Sequence, residues 1–196
     1  MSDSKQARPR GFTSDNIAGA SPAVIAAITE CASGQALPYG NDELTHTVER
    51  RLAEVFEHEV DVFLVSTGSA ANALALAAMT PPWGSVLSHA EAHINRDECG
   101  APEFYTAGAK LVQLPGDAGK IDIDALAANA KRMLGDVHSV QPSSVSITQA
   151  TEVGSVYGSM RSRRSAISAD RRTCHFTWTA PASPMPSSLS AARRPR

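Results

Sequence analysis

Between Asp61 and Met79 the chain reads DVFLVSTGSAANALALAAM, and this stretch leaves a fold little choice. Val62 to Val65 is a short apolar run of the length and composition of a buried strand. Ser66-Thr67-Gly68-Ser69 follows, small hydroxyl residues around a glycine, and then a run of alanine and leucine, both strong helix formers. Strand, turn and helix start in that order form one half of a βαβ unit. At such a turn the first backbone N–H groups of the helix lack partners and the positive end of the helix dipole is exposed. That arrangement suits a phosphate. An ordinary βα turn with a serine N-cap would have the same composition, so this stretch alone leaves both readings open.

The same alternation runs through the chain. Ser21 and Pro22 suit the cap and first position of a helix over about 23–32 that ends near Gly34. Asn41 or Asp42 can cap a second helix through about Glu57, with Leu44, Val48, Leu52, Val55 and Phe56 at helical spacing. Pro81-Pro82-Trp83-Gly84 breaks the chain before a strand over Ser85–Ser88, and residues 89–101 are dense in polar groups, as in a solvated loop. Lys110–Leu114 reads as a strand, Asp122–Leu134 as a helix ending in the basic Lys131 and Arg132, and Ser144–Thr148 as a further strand. Short strands alternating with helices predict an α/β fold with a mainly parallel sheet and flanking helices.

Composition bounds the function classes. The 196 residues are 42% hydrophobic with mixed charge, enough for one domain with a good core. No run of about 18 apolar residues is present, so no membrane partner is expected. The N-terminal MSDSKQARPRGF has no apolar stretch behind its charges, and residues 1–12 read as a flexible arm rather than a secretory signal. Three scattered cysteines, Cys31, Cys99 and Cys174, argue against a disulfide framework or zinc site and fit a cytoplasmic setting. The net charge of −2 conceals a split, because residues 158–196 hold eight arginines against one acid, Asp170. That tail is therefore near +7 and the preceding 157 residues near −9, an asymmetry that is not an obvious nucleic-acid footprint.

Five motifs in order resemble the threonine aldolases of the pyridoxal-phosphate fold-type-I superfamily. They are FTSDNIAGASP (12–22), PYGND (38–42), VFLVSTGSAANALAL (62–76), HAEAHINRDECGAPEF (89–104) and SVSITQATEVGSVY (144–157). The resemblance implies that residues 13–157 are the N-terminal part of the family's large domain. It implies pyridoxal 5′-phosphate as cofactor and aldol cleavage of a threonine-type β-hydroxy-α-amino acid to glycine and an aldehyde. It further implies that Gly68 and Ser69, with Asn72 nearby, hold the cofactor phosphate. His93 would stack on the pyridine ring and assist proton transfer at the substrate hydroxyl. Ser14 would contact the substrate carboxylate, and Tyr39 with Gly40 would reach a neighbouring subunit's site, the family forming dimers or tetramers. Glu98 and Gln149 are weaker candidates, since a loop acid and a strand-end amide are commonly bonded to backbone.

The sequence then departs from the family's pattern. The family places an HxDGAR motif, carrying the carboxylate for the pyridinium nitrogen and an arginine, soon after the SITQATE strand, and its Schiff-base lysine further on. Here the last lysine is Lys131, and residues 158–196 have no helical or strand period, as in a disordered segment foreign to the fold. Read from the third base of codon 158, that tail can spell LDEIAAIGDLCRPADLPLHMDGARFANA and onward. Much of the match has freedom at one base per codon, but Trp178 followed by Thr179 forces GAC, aspartate, at the motif's carboxylate position. The expectation is a truncated chain with a frame change after Tyr157. Competing readings are a non-catalytic fragment, another β-eliminating lyase that uses the same cofactor, and a phosphate- or nucleotide-binding module. The last is poor without GxGxxG or GxxxxGK[ST].

Overall fold

A computed structural model of the chain describes residues 19–158 and the backbone of 175–179. The chain parts after Val62 into two compact units.

The first unit holds two helices. α1 (Pro22–Cys31) starts on Ser21, whose hydroxyl accepts the Val24 N–H at 3.4 Å, with proline in the first turn. α2 (Glu43–Phe56) starts on Asp42: one carboxylate oxygen accepts the Thr45 N–H at 2.9 Å and the other the Thr45 hydroxyl at 2.7 Å. Glu57 ends it in the left-handed conformation, φ 50°. The Thr45 hydroxyl, and after it the Thr45 backbone N–H, hold the Asp42 carboxyl below its ordinary value near 3.8. A depressed carboxylate contributes stability that is present above its unfolded pKa and lost as pH falls through its folded one. The far-ultraviolet helical signal of this unit is therefore expected to weaken below about pH 4. In Asp42→Asn that acid-dependent component should be missing.

The second unit is a four-stranded sheet in the order β2-β1-β3-β4, with β1 (Gly84–His89), β2 (Lys110–Leu114), β3 (Gln141–Thr148) and β4 (His175–Thr179). Every neighbouring pair is parallel, so each crossover must climb back along the sheet. α3 (Gly68–Met79) precedes β1, the short helices α4 (His93–Arg96) and α5 (Ala101–Tyr105) link β1 to β2, and α6 (Ile123–Asn129) links β2 to β3. β1 is buried along its whole length, as a central strand covered on both faces should be. Val86 faces one core with Leu76, Ala92 and Ile94. Leu87, one residue on, faces the other with Leu114, Ile121, Leu126, Val145, Ile147 and Tyr157. Successive strand residues point to opposite faces, and the two cores cover both sides.

The predicted α/β class and parallel sheet are what the structure has. Several local readings differ. Residues 63–65 form no strand, and Phe63 and Leu64 are 84% and 79% exposed. A strand exists through its ladder, and among the described residues none pairs with this segment. The helix predicted to reach Leu134 stops at Asn129, because Met133 (φ 54°) and Gly135 (φ 79°) turn the chain left-handed; Lys131 and Arg132 lie beyond it. The polar stretch after His89 is not merely loop, since it contains α4 and leads into α5. β3 starts three residues earlier than its apolar core suggested. Within the tail, His175–Thr179 pairs alongside β3, which no sequence period revealed. Among the described residues no helix is long and apolar enough to cross a membrane.

Candidate functional site

In an open parallel sheet, ligands gather at the carboxyl ends of the strands. β1 ends at His89, and that residue organises the turn that follows. Its Nδ1 accepts the Glu91 N–H at 3.0 Å, which leaves Nε2–H to donate to the Gly116 carbonyl at 3.2 Å. The Asn95 amide donates to the Ser88 hydroxyl at 2.8 Å and to the His89 carbonyl at 2.7 Å, pinning α4 to the strand end. His93, the first residue of α4, is thereby fixed beside the end of β1.

The loop after α4 sends Glu98 inward, where its side chain has no solvent exposure. One carboxylate oxygen, Oε1, accepts the Asn72 amide at 2.5 Å and lies 2.7 Å from His93 Nδ1. The other, Oε2, is buried and has no hydrogen-bond partner among the described residues. Asn72 stands one turn into α3. Glu98 thus joins His93 of α4 to the helix that begins at the glycine turn.

At the start of α3 the cap is Thr67, whose hydroxyl accepts the Ala70 N–H at 3.1 Å. Gly68 and Ser69 occupy the first two helical positions, so their N–H groups have no acceptor inside the helix. Gly68 and Asn72 are four residues apart and share a helix face. The arrangement offers two backbone donors at a helix N-terminus, and an imidazole whose Nδ1 is held by a buried carboxylate.

The residues singled out in the sequence fall in different places. Gly68, Ser69, Asn72 and His93 all belong to this one unit, and Glu98 ties Asn72 to His93. The Asn72 amide nitrogen donates one hydrogen bond to Glu98. Tyr39 belongs to the other unit, 98% exposed and left-handed at φ 64°, followed by Gly40 at φ 78°. Ser14 lies outside the described residues. Gln149 has the bland role: its amide oxygen accepts the Tyr157 N–H at 2.7 Å and its nitrogen donates to the Tyr157 carbonyl at 3.2 Å. Glu98 is the residue that sequence reasoning undervalued, because its partner Asn72 is 26 positions away and no spacing rule couples them.

The described lysines are placed elsewhere. Lys110 opens β2 and pairs with Ser85 near the start of β1, whereas His93 follows the other end of that strand. Lys120 donates to the Val156 carbonyl at 3.4 Å. Lys131 follows α6.

A family model described as beta-eliminating lyase matches residues 11–176. The chain belongs to the beta-eliminating lyase family. Among curated proteins it is similar to the low specificity L-threonine aldolase of Pseudomonas aeruginosa, 40% identical over 146 residues, and to that of a Pseudomonas sp. strain, 39% identical over the same length. Each match covers 74% of this chain, and the chain spans 42% of the length of each relative. Among solved structures, the threonine aldolase of Leishmania major superposes with a TM-score of 0.76 at 27% identity, covering 87% of this chain and 49% of the other. An Escherichia coli protein, YbdL, described with a methionine aminotransferase function, superposes at 0.56 with 11% identity, covering 79% and 40%; this last likeness shows the fold alone.

Proposed function

We propose that this chain carries the phosphate- and ring-binding part of a pyridoxal-phosphate lyase site. The reaction of the whole protein is then cleavage of threonine-type β-hydroxy-α-amino acids to glycine and an aldehyde. The observation that carries the reading is the Glu98 carboxylate, buried between His93 and Asn72, which fixes an imidazole at a strand end next to a helix whose first N–H groups are open. The N–H groups of Gly68 and Ser69 hold the phosphate. The face of His93 receives the pyridine ring, and Nε2, the nitrogen that Glu98 leaves free, is placed to hold or pass a proton at the substrate hydroxyl. When bound, the cofactor supplies an electron sink for the charge left as the carbon–carbon bond breaks. Ser14 as a substrate-carboxylate contact, Tyr39 as a residue of a neighbouring subunit's site, a homo-oligomeric state and a cytoplasmic setting belong to the same proposal.

The fit is partial. No described lysine stands beside His93 to bond the cofactor, so this chain binds without turning over. In the same proposal, residues 158–196 are translated out of frame after a single-base loss or two-base gain near codon 158. The forced aspartate codon across Trp178 and Thr179, and the excess of arginine, support it. Sequencing the gene across codons 155–165 and beyond decides the point. An intact frame without HMDGAR in the shifted reading would sink the frame change.

Binding is tested by calorimetry with pyridoxal phosphate and with pyridoxal, which lacks only the phosphate. A preference of about tenfold or more for the phosphate ester is expected from two open N–H donors at a helix N-terminus, together with no aldehyde release from threonine. Equal affinities would contradict the phosphate site, and threonine cleavage by this chain would contradict its inactivity.

A further inference from the structure

We infer that Glu98 is a positioning residue that selects the tautomer of His93, locking the proton on Nδ1 and presenting Nε2 as a bare acceptor. What Nε2 then acts on rests on the function proposed above; the tautomer itself does not.

The geometry is directional. The Asn72 amide nitrogen can only donate, so its 2.5 Å contact makes Glu98 Oε1 an acceptor. The same oxygen lies 2.7 Å from His93 Nδ1, and two groups that both accept do not sit at that distance, so Nδ1 carries a proton. Neutral imidazole has one N–H, and with it committed to Nδ1 the other nitrogen has its lone pair free. The histidine side chain is 40% exposed, while the glutamate side chain is not exposed at all. The ring is thus open to a ligand and its orienting carboxylate is out of reach of one.

A carboxylate that served only to cap a fold would be expected to satisfy both oxygens. Burying a charged group without partners is costly, yet Oε2 has no hydrogen bond among the described residues and both donors converge on Oε1. Asn95 already anchors α4 to β1 through Ser88 and His89, so α4 does not need Glu98 to stay in place. What Glu98 adds is the choice of ring nitrogen. His89, four residues earlier, shows the opposite choice: its Nδ1 accepts the Glu91 N–H and its Nε2 donates. Two histidines on one turn are held in opposite tautomers, and only His93 offers a free acceptor nitrogen.

The test uses the full chain labelled with nitrogen-15 at histidine, without cofactor, at a pH where the ring is neutral. Long-range proton–nitrogen correlation separates the two tautomers. His93 is expected in the Nδ1–H form and His89 in the Nε2–H form, the latter serving as internal control. In Glu98→Ala the His93 tautomer ratio should shift by about tenfold toward Nε2–H, the loss of one hydrogen bond to a charged acceptor, while His89 is unchanged. Glu98→Gln keeps an acceptor oxygen facing Nδ1 and should restore the wild-type ratio. An Nε2–H form of His93 in the wild-type chain, or an unmoved ratio in a folded Glu98→Ala, would overturn the inference. Should Glu98→Ala fail to fold, the wild-type assignment decides alone. A chain with Nδ1–H at His93 that ignores pyridoxal phosphate would keep the role of Glu98 and sink the proposed function.

Discussion

Gly116→Ala is expected to cost about 3–4 kcal/mol, at the upper end of what a single overpacking change does. A Cβ at Gly116 would fall inside van der Waals contact with the Lys120 carbonyl oxygen and 2.8 Å from the Asp122 nitrogen. Both are backbone atoms, so no side-chain rotation relieves the clash. The turn they belong to is tightly closed, with Lys120 N–H on the Asp117 carbonyl at 3.0 Å and Asp122 N–H on the Pro115 carbonyl at 2.9 Å. Opening it disturbs the start of α6, whose cap is Asp122, and withdraws the Gly116 carbonyl from His89. The damage therefore reaches the turn that presents His93. Urea unfolding measures the cost. Gly158→Ala, with nothing within 4 Å of the added carbon among the described residues, is the control and should stay within about 0.5 kcal/mol.

The second large effect lies in the core beneath that turn. Leu126 is fully buried in α6 against the sheet face that carries Leu87 and Val145. Leu126→Ala removes three carbons from a closed site and is expected to destabilise by about 2–5 kcal/mol, the spread reflecting how far neighbours can collapse into the space. Leu74→Ala makes the comparison. Leu74 sits on α3 and is 49% exposed, so its loss should cost much less, within about 1 kcal/mol. If the two variants unfolded at the same urea concentration, the two-core account of the sheet would be wrong.

Much of the fold was legible in the sequence because its signals are local. Asp42 before a run with Leu44, Val48 and Leu52 at helical spacing shows a capped helix, and Lys110–Leu114 shows a strand to the residue. Segments whose state depends on a distant partner were harder to read. Val62–Val65 has strand composition but no ladder among the described residues, and His175–Thr179, whose Phe, Trp and Thr suit a strand, sits in an Arg-, Ser- and Pro-rich tail without period yet lies beside β3. Helix α6 was read too long because alanine and leucine composition does not reveal the left-handed turn at Met133.

The site shows the same division. Gly68, Ser69 and His93 stand in recognisable motifs, and the small-residue turn before an alanine-rich helix announces open N–H groups by itself. Glu98 stood only as a weaker candidate, one acid in a polar run. Its importance comes from burial and from an amide 26 residues away, which tertiary packing alone provides. Asn72 was legible from its place near the turn, but its hydrogen bond to Glu98 was not.

In the function proposed above, the start of α3 and the ring of His93 form one binding surface for a phosphate-bearing planar cofactor. Its most direct test is a nitrogen-15 titration of the chain with pyridoxal phosphate, followed residue by residue. The account predicts saturable shifts of the Gly68 and Ser69 amides together with the His93 ring, and with inorganic phosphate alone shifts of the two amides but not of the ring. Perturbations confined to Lys110, Lys120 and Lys131, with Gly68, Ser69 and His93 unmoved, would contradict it.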